Sequence, residues 1–105
     1  MRKVILPNLK SLHMFENKKI LITGGTGSLG TALTSSLLKT DVDTIRIFSR
    51  DELKQSQMES HFNDERLRFL IGDVRDQERL EKAVEDVNIV IHTAALKQVP
   101  VIEYN

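Results

Sequence analysis

The chain has 105 residues, of which 40% are apolar and 29% charged. Its length suits one small domain or part of a larger one, and its composition is that of a globular protein rather than a disordered or membrane chain. Fifteen basic and fifteen acidic residues cancel, so charge gives no reason to expect nucleic acid or a membrane surface as a partner. Cysteine is absent, which excludes disulfides and thiolate chemistry and is compatible with a cytoplasmic location. The three histidines have no spacing that suggests a metal site.

The first residues of the chain give little structural information. Residues 1–17 contain one apolar patch that Pro7 interrupts, too short and broken for a signal peptide or a membrane span. We therefore predict a poorly specified leader over residues 1–17 and a domain over residues 18–105.

From residue 18 onward, apolar runs alternate with amphipathic stretches. The runs predict four strands, at Lys19–Thr23, Thr44–Ser49, Leu67–Ile71 and Ile89–His92. Between them lie three predicted helices, whose apolar faces consist of Leu29, Leu33 and Leu37, of Leu53, Met58 and Phe62, and of Leu80, Ala83, Val84 and Val87. Residues 93–105 are predicted to form a loop that begins a fourth helix. Short connections between alternating strands and helices predict an α/β fold: a Rossmann-type, doubly wound parallel sheet, of which these are the first four strands.

A glycine-rich turn joins the first predicted strand to the first helix. Gly25, Gly27 and Gly30 fit G-x-G-x-x-G, and Gly24 extends the pattern to T-G-x-x-G-x-x-G. Such glycines permit a tight turn, close approach of the backbone to a pyrophosphate, and close packing of helix on strand. The pyrophosphate would lie on the N–H groups of the helix that begins near Ser28. A structural turn without a ligand is the alternative, whereas a P-loop is excluded because no Gly-Lys-Ser/Thr follows.

The end of the second predicted strand distinguishes the possible dinucleotides. An acidic residue there binds the ribose diol of NAD, and an arginine accepts the 2′-phosphate of NADP. This sequence has Ser49, Arg50, Asp51 and Glu52 at that place. Arg50 offers a planar donor fork and Ser49 a hydroxyl, which favours NADP. Asp51 could contact a ribose, but an N-cap of the following helix is the simpler interpretation.

Two further groups follow the third and fourth predicted strands. Asp73 and Val74 come where this fold holds an adenine, although Asp73 could instead cap the next helix. Thr93 begins a run of small residues that would let the backbone approach a cofactor. Lys97 lies at the carboxyl edge of the sheet, where it could contact a ligand or simply be solvated.

Several blocks of sequence resemble one family over residues 18–105. They are Ile22–Ser28, Ser49–Gln55, Gly72–Asp76, Ala94–Pro100 and Glu103–Asn105. Together they are similar to the inverting UDP-N-acetylglucosamine 4,6-dehydratases, extended short-chain dehydrogenase/reductases of the polysaccharide biosynthesis group that open pseudaminic acid synthesis.

The resemblance implies a role for each block. Thr26, Gly27, Ser28 and Leu29, between Gly24 and Gly30, would bind the pyrophosphate, and Asp73 and Val74 would flank the adenine. The adenosine ribose and its 2′-phosphate would be bound by Ser49, Arg50, Asp51, Glu52, Leu53 and Lys54. Thr93 would lie beside the cofactor, and Lys97 would contact cofactor and substrate. Members of the family use NADP as a recycled hydride carrier: hydride leaves C4, water is lost across C5–C6, and hydride returns to C6 with inversion at C5.

The chain departs from the family pattern in one important respect. The Tyr-x-x-x-Lys pair is absent, since the only tyrosine is Tyr104, and relatives are more than twice as long. We therefore expect no catalytic residue in residues 1–105, no turnover by this chain alone and marginal stability. At full length we expect a homo-oligomer. The alternatives are a non-catalytic NADP-binding module or sensor, and a methyltransferase. Arg50 at the end of the second predicted strand disfavours the methyltransferase.

Overall fold

The computed structural model describes residues 14–93 in full and the backbone of residues 2–4 and 100–103. One sheet contains six strands in the order β1-β6-β5-β2-β3-β4. The strands are β1 (Arg2–Val4), β2 (Lys19–Thr23), β3 (Thr44–Ser49), β4 (Leu67–Ile71), β5 (Ile89–His92) and β6 (Pro100–Glu103). The helices are α1 (Ser28–Leu37), α2 (Glu52–Phe62) and α3 (Gln77–Ala83).

The four predicted strands form the parallel part of this sheet, and each begins and ends at the predicted residue. β2 pairs in parallel with β3 and with β5, and β3 pairs in parallel with β4. β2 and β3 are almost fully buried, because helices cover both faces, which explains why their sequences are nearly continuous apolar runs. The predicted α/β Rossmann-type architecture is therefore confirmed.

The core has one cluster on each side of the sheet. On one side, α1 and α2 pack against the sheet through Leu33, Leu37 and Met58, which contact Ile20, Ile22, Ile45, Ile47 and Ile91. On the other side, α3 and the turn after it contribute Ala83 and Val87 against Leu21, Phe48 and Val90. No helix in the part of the chain that the structure describes is long and apolar enough to cross a membrane.

Two residues predicted for the apolar helix faces lie outside the core. The Leu29 side chain is 38% exposed and that of Leu53 is 68% exposed. Each residue of an α-helix turns by about 100°, which puts Leu53 about 180° from Phe62 and about 140° from Met58, on the opposite face of α2. The same rotation brings Gln55 to the face of Met58 and Phe62, and Gln55 is only 5% exposed. The predicted face of α2 was therefore wrong at Leu53, and Gln55 occupies the buried position.

The two ends of the chain also differ from expectation. β6 pairs antiparallel with β5 and with β1, so the helix predicted within residues 93–105 is wrong over Pro100–Glu103. The pairing gives a partner to the outer edge of β5, whose backbone groups would otherwise be unpaired. Phe15 is fully buried in the α1–α2 cluster, although the predicted leader includes it. Residues 94–99, with Lys97, lie outside the described residues.

Candidate functional site

The residues that follow the parallel strands meet at one edge of the sheet. Hydrogen bonds extend the ladder one residue beyond three of the strands: the Gly24 N–H donates to the Phe48 carbonyl at 2.8 Å, and the Gly72 N–H to that of Ser49 at 2.9 Å. The Thr93 N–H donates to the Thr23 carbonyl at 3.0 Å. This is the edge at which open α/β sheets bind their ligands.

Three glycines of the glycine motif after β2 are required by the fold, whether or not a ligand is bound. Gly24 has φ 68°, a left-handed conformation that side chains rarely adopt. A Cβ on Gly30 would lie 2.5 Å from backbone atoms of Gly25, and one on Gly25 would lie 2.8 Å from the Ile47 side chain. These positions therefore need glycine for the turn and for packing α1 on the sheet, as the motif predicts.

Gly27 is different from the other glycines of the turn. Its φ of −73° is open to any residue, and a Cβ there would meet only the Gly24 carbonyl oxygen, at an ordinary 3.6 Å. The fold therefore does not require glycine at this position. A group lying against the turn would require it, because a side chain would keep that group from the backbone.

The N-terminus of α1 has no side-chain cap, unlike those of the other two helices. Gly27 is its N-cap residue, and the first turn contains no acidic residue. In α2 the Asp51 carboxylate accepts a hydrogen bond from the Lys54 N–H at 3.0 Å, and in α3 that of Asp76 accepts from the Arg79 N–H at 3.2 Å. Within residues 14–93, the first turn of α1 thus has neither a side-chain cap nor an acidic residue, an arrangement that favours an anion at the helix start.

Two clefts open beside this helix start and share the side chains of Ser49 and Arg50. The turn cleft is lined by Thr26, Ser49, Arg50, Asp51 and Glu52. The loop cleft lies between the ends of β2, β3, β4 and β5 and is lined by Thr23, Gly24, Phe48, Ser49, Arg50, Gly72, Asp73, Val74, Arg75 and His92. Val74 is 46% exposed, so it offers apolar surface to a ligand in the loop cleft.

An ion cluster holds the carboxylate of Asp73 in the loop cleft. The Arg75 guanidinium donates to both Asp73 oxygens, with Nη2 at 2.7 Å from Oδ2, and the Arg75 N–H donates to Oδ1 at 2.9 Å. Arg50 Nη1 lies 3.6 Å from Oδ2. The side-chain hydrogen bonds from Arg75, its backbone N–H and the charge of Arg50 lower the pKa of Asp73 to about 2. Asp73 does not cap α3, since Asp76 does, so that alternative for Asp73 is wrong.

Thr93 braces the glycine turn from the neighbouring strand. Its Oγ1 lies 2.6 Å from the Thr23 carbonyl oxygen and 2.9 Å from that of Gly24, so one hydroxyl serves two carbonyls at the start of the turn. One residue earlier, His92 Nδ1 is 2.8 Å from the Thr23 hydroxyl, across the β2–β5 pair. Thr93 lines neither of the two clefts, so it supports the turn from behind.

The predicted site residues fall into distinct places. Thr26, Ser49, Arg50, Asp51 and Glu52 come together in the turn cleft, and Asp51 also caps α2 as the simpler interpretation required. Gly27, Ser28 and Lys54 line a groove between α1 and α2, which Thr26 joins to the turn cleft. Leu29 and Leu53 line neither this groove nor the two clefts.

One buried residue of the site was not predicted. Gln55 reaches from α2 to the ends of β3 and β4, where its Nε2 donates to the Ser49 hydroxyl and to the Leu70 carbonyl. Among the described residues, no group of three or more acidic or histidine side chains could hold a metal ion.

Comparison with known proteins agrees with this geometry. Residues 20–105 match the family described as polysaccharide biosynthesis protein. Over 93 residues the chain is 58% identical to a UDP-N-acetylglucosamine 4,6-dehydratase (inverting) of Campylobacter jejuni, covering 88% of this chain and 28% of that one. It is 50% identical over 95 residues to a UDP-glucose 4-epimerase of Rickettsia rickettsii, covering 87% and 28%. The chain thus spans less than a third of the length of these relatives.

Solved structures show the same fold. Pen from Bacillus thuringiensis superposes with a TM-score of 0.73 at 40% identity, over 79% of this chain and 26% of that one. A short-chain dehydrogenase/reductase from Veillonella parvula in complex with NADP has a TM-score of 0.61 at 30% identity, over 71% and 34%. A UDP-glucuronic acid 4-epimerase from Bacillus cereus in complex with NAD has 0.61 at 28%, over 74% and 27%. With its Rossmann-type sheet, its glycine turn and a family match over residues 20–105, the chain belongs to the polysaccharide biosynthesis protein family.

Proposed function

We propose that this chain binds NADP at the carboxyl edge of its sheet and supplies the cofactor-binding part of a UDP-N-acetylglucosamine 4,6-dehydratase. The observation that carries the proposal is Gly27, the glycine that the fold does not need, at the uncapped start of α1. There the oxygens of a dinucleotide pyrophosphate would accept hydrogen bonds from the N–H groups of Ser28 and Leu29. The positive end of the helix dipole favours the negative charge of the pyrophosphate.

The adenosine end of the cofactor fits the two clefts. Asp73 and Val74 would contact the adenine, and Ser49 and Arg50 stand where the clefts join. The Arg50 side chain is 72% exposed, and within residues 14–93 it is held only by the 3.6 Å pair with Asp73. We propose that its guanidinium turns to the 2′-phosphate when NADP binds, since an exposed ion pair of this length is weak.

The bound cofactor would accept a hydride from the sugar and return it. Dehydration with inversion is favoured by the 58% identity to a relative of that name. A second candidate is a UDP-sugar 4-epimerase, which relatives at 50% identity favour. Both reactions use the same cofactor site, and both belong in the cytoplasm with their nucleotide-sugar substrates. Lys97 remains a proposed contact to cofactor and substrate.

Dinucleotide binding is tested by titration calorimetry of the chain with NADP and with NAD. We expect tighter binding of NADP, and a loss of about tenfold in NADP affinity for Arg50→Ala with little change for NAD. Arg68→Ala is the matched control, because Arg68 is exposed near the start of β4, at the opposite edge of the sheet. Equal losses for both cofactors would remove the assigned phosphate contact.

The reaction is tested by a chimera in which this chain replaces the matching 93 residues of the Campylobacter relative. We expect the chimera to remove one water from UDP-N-acetylglucosamine, detected by mass spectrometry, and to lose activity with Gly27→Ser. A folded but inactive chimera, together with an active one built on the Rickettsia epimerase, would favour the second candidate.

A further inference from the structure

We propose that Gln55 is a positioning residue of the dinucleotide site: it holds the Ser49 hydroxyl so that its hydrogen points into the clefts and donates to an oxygen of the ligand. The inference rests on the proposed function and names a residue that acts through another. Gln55 itself lines none of the clefts described above.

The Gln55 amide has a single possible orientation. Its Nε2 lies 2.9 Å from the Leu70 carbonyl oxygen, 3.0 Å from Ser49 Oγ and 3.4 Å from the Ser49 carbonyl oxygen. Carbonyl oxygens only accept hydrogen bonds, so the NH2 group must face them. The two hydrogens of Nε2 therefore go to the Leu70 carbonyl and to the Ser49 hydroxyl oxygen.

This geometry decides what the Ser49 hydroxyl can do. Its oxygen accepts from Gln55, which leaves its one hydrogen to be donated elsewhere. Within the residues that the structure describes, no protein acceptor receives that hydrogen. Ser49 is 8% exposed and lines both the turn cleft and the loop cleft. The hydroxyl is thus a donor directed at the place where we locate the ribose and the 2′-phosphate.

The position of Gln55 in α2 makes the arrangement rigid. Its own N–H donates to the Asp51 carbonyl at 3.1 Å, in the first turn of a helix that Asp51 caps. The side chain is 5% exposed, so its rotamer is fixed by packing. A buried amide lowers stability unless its hydrogen bonds are made, and this amide makes them to the ends of two strands.

The inference is tested with Gln55→Met, which keeps the length of the side chain and removes its donors. We expect the NADP dissociation constant to rise about fivefold in calorimetry, and that of NAD to change by less than about twofold. Ser49→Ala should give a similar loss, and the double variant no further loss, because Gln55 acts through Ser49. Gln57→Met, at an exposed position of the same helix, is the matched control and should bind as the wild type does.

A second measurement does not depend on how well the variant folds. In the wild-type chain, the side-chain NH2 signals of Gln55 should shift in nuclear magnetic resonance spectra when NADP is added, and those of Gln57 should not. Additive losses in the double variant, equal losses for NADP and NAD, or unmoved Gln55 signals would overturn the inference. A wild-type chain that does not bind NADP would overturn the proposed function, whereas NADP binding that is indifferent to Gln55→Met overturns only the role of Gln55.

Discussion

The turns after β2 and β3 lead into helices of similar length, but only the helix after β3 begins with a side-chain cap. After β3, the Asp51 carboxylate closes the start of α2 with a hydrogen bond to the Lys54 N–H. After β2, Gly27 leaves the start of α1 without any side-chain cap. In a capped helix a side chain accepts a hydrogen bond from a first-turn N–H group. In an uncapped helix the first-turn N–H groups can donate to a bound anion instead. Under the proposed function, the turn after β3 therefore serves stability and the turn after β2 serves binding.

Gly30→Ala should have the largest effect, because it breaks the packing beneath the uncapped turn. The added Cβ would lie 2.5 Å from the Gly25 backbone, which cannot move without shifting α1 from the sheet. We expect the free energy of unfolding to fall by about 3 kcal/mol, measured by urea denaturation. An unfolding free energy within about 0.5 kcal/mol of wild type would contradict the close approach of helix and strand.

Thr93→Val should have the next largest effect, since it removes the brace behind the turn. The variant keeps the shape of the side chain but loses the hydroxyl that the Thr23 and Gly24 carbonyls share. We expect a loss of about 1–2 kcal/mol in unfolding free energy and weaker dinucleotide binding. Thr93→Ser keeps the hydroxyl and should retain most of the binding. If Thr93→Val bound NADP as tightly as the wild type, the brace would have no role in the site.

Asp51→Ala tests the turn after β3, where Asp51 caps α2. Loss of the cap should lower the free energy of unfolding by about 1 kcal/mol, and Asp76→Ala at the start of α3 should do the same. Because Asp51 is engaged with the Lys54 N–H, the conservative Asp51→Asn should leave NADP affinity nearly unchanged. A large loss of NADP affinity in Asp51→Asn would instead indicate a direct contact with the ribose.

The smallest expected effect concerns acid sensitivity in the loop cleft. The folded state lowers the pKa of Asp73 to about 2, chiefly through the hydrogen bonds from Arg75. A lowered pKa adds stability that is fully present above the ordinary value near 4 and is lost as the pH falls through about 2. Between about pH 5 and about pH 3, Asp73→Asn should therefore lose less stability than the wild type, measured by urea midpoints. Glu81→Gln, at an exposed position on α3, is the control and should follow the wild type.

The parallel sheet could be predicted from the sequence because its determinants are local. Each buried strand is a continuous apolar run between turn residues, so the bounds of Lys19–Thr23 and Thr44–Ser49 follow directly from the residues. The pairing of Pro100–Glu103 depends instead on an unpaired edge of β5, and no local pattern contains that information. Phe15 was missed for a similar reason, since its burial depends on helices that come later in the chain.

The site could be predicted where its residues follow the ends of the strands. The glycine turn, Ser49, Arg50 and Asp73 were selected in this way, and the structure brings them together at one edge of the sheet; their roles in binding stay predictions. Gln55 was missed because a polar residue is not expected on a buried helix face. The rotation of 100° per residue would have put it beside Met58 and Phe62, and that signal was available in the sequence.

Gly27→Ser tests the central claim most directly, because we expect it to change the free energy of unfolding and the NADP affinity independently. The backbone of Gly27 already has N-cap geometry and a Cβ fits there, so a serine hydroxyl can cap α1. We predict an unfolding free energy equal to that of the wild type or a few tenths of a kcal/mol higher, and an NADP affinity at least about tenfold lower by calorimetry. A Gly27→Ser chain that binds NADP as the wild type does would contradict the claim that the open start of α1 is the binding site.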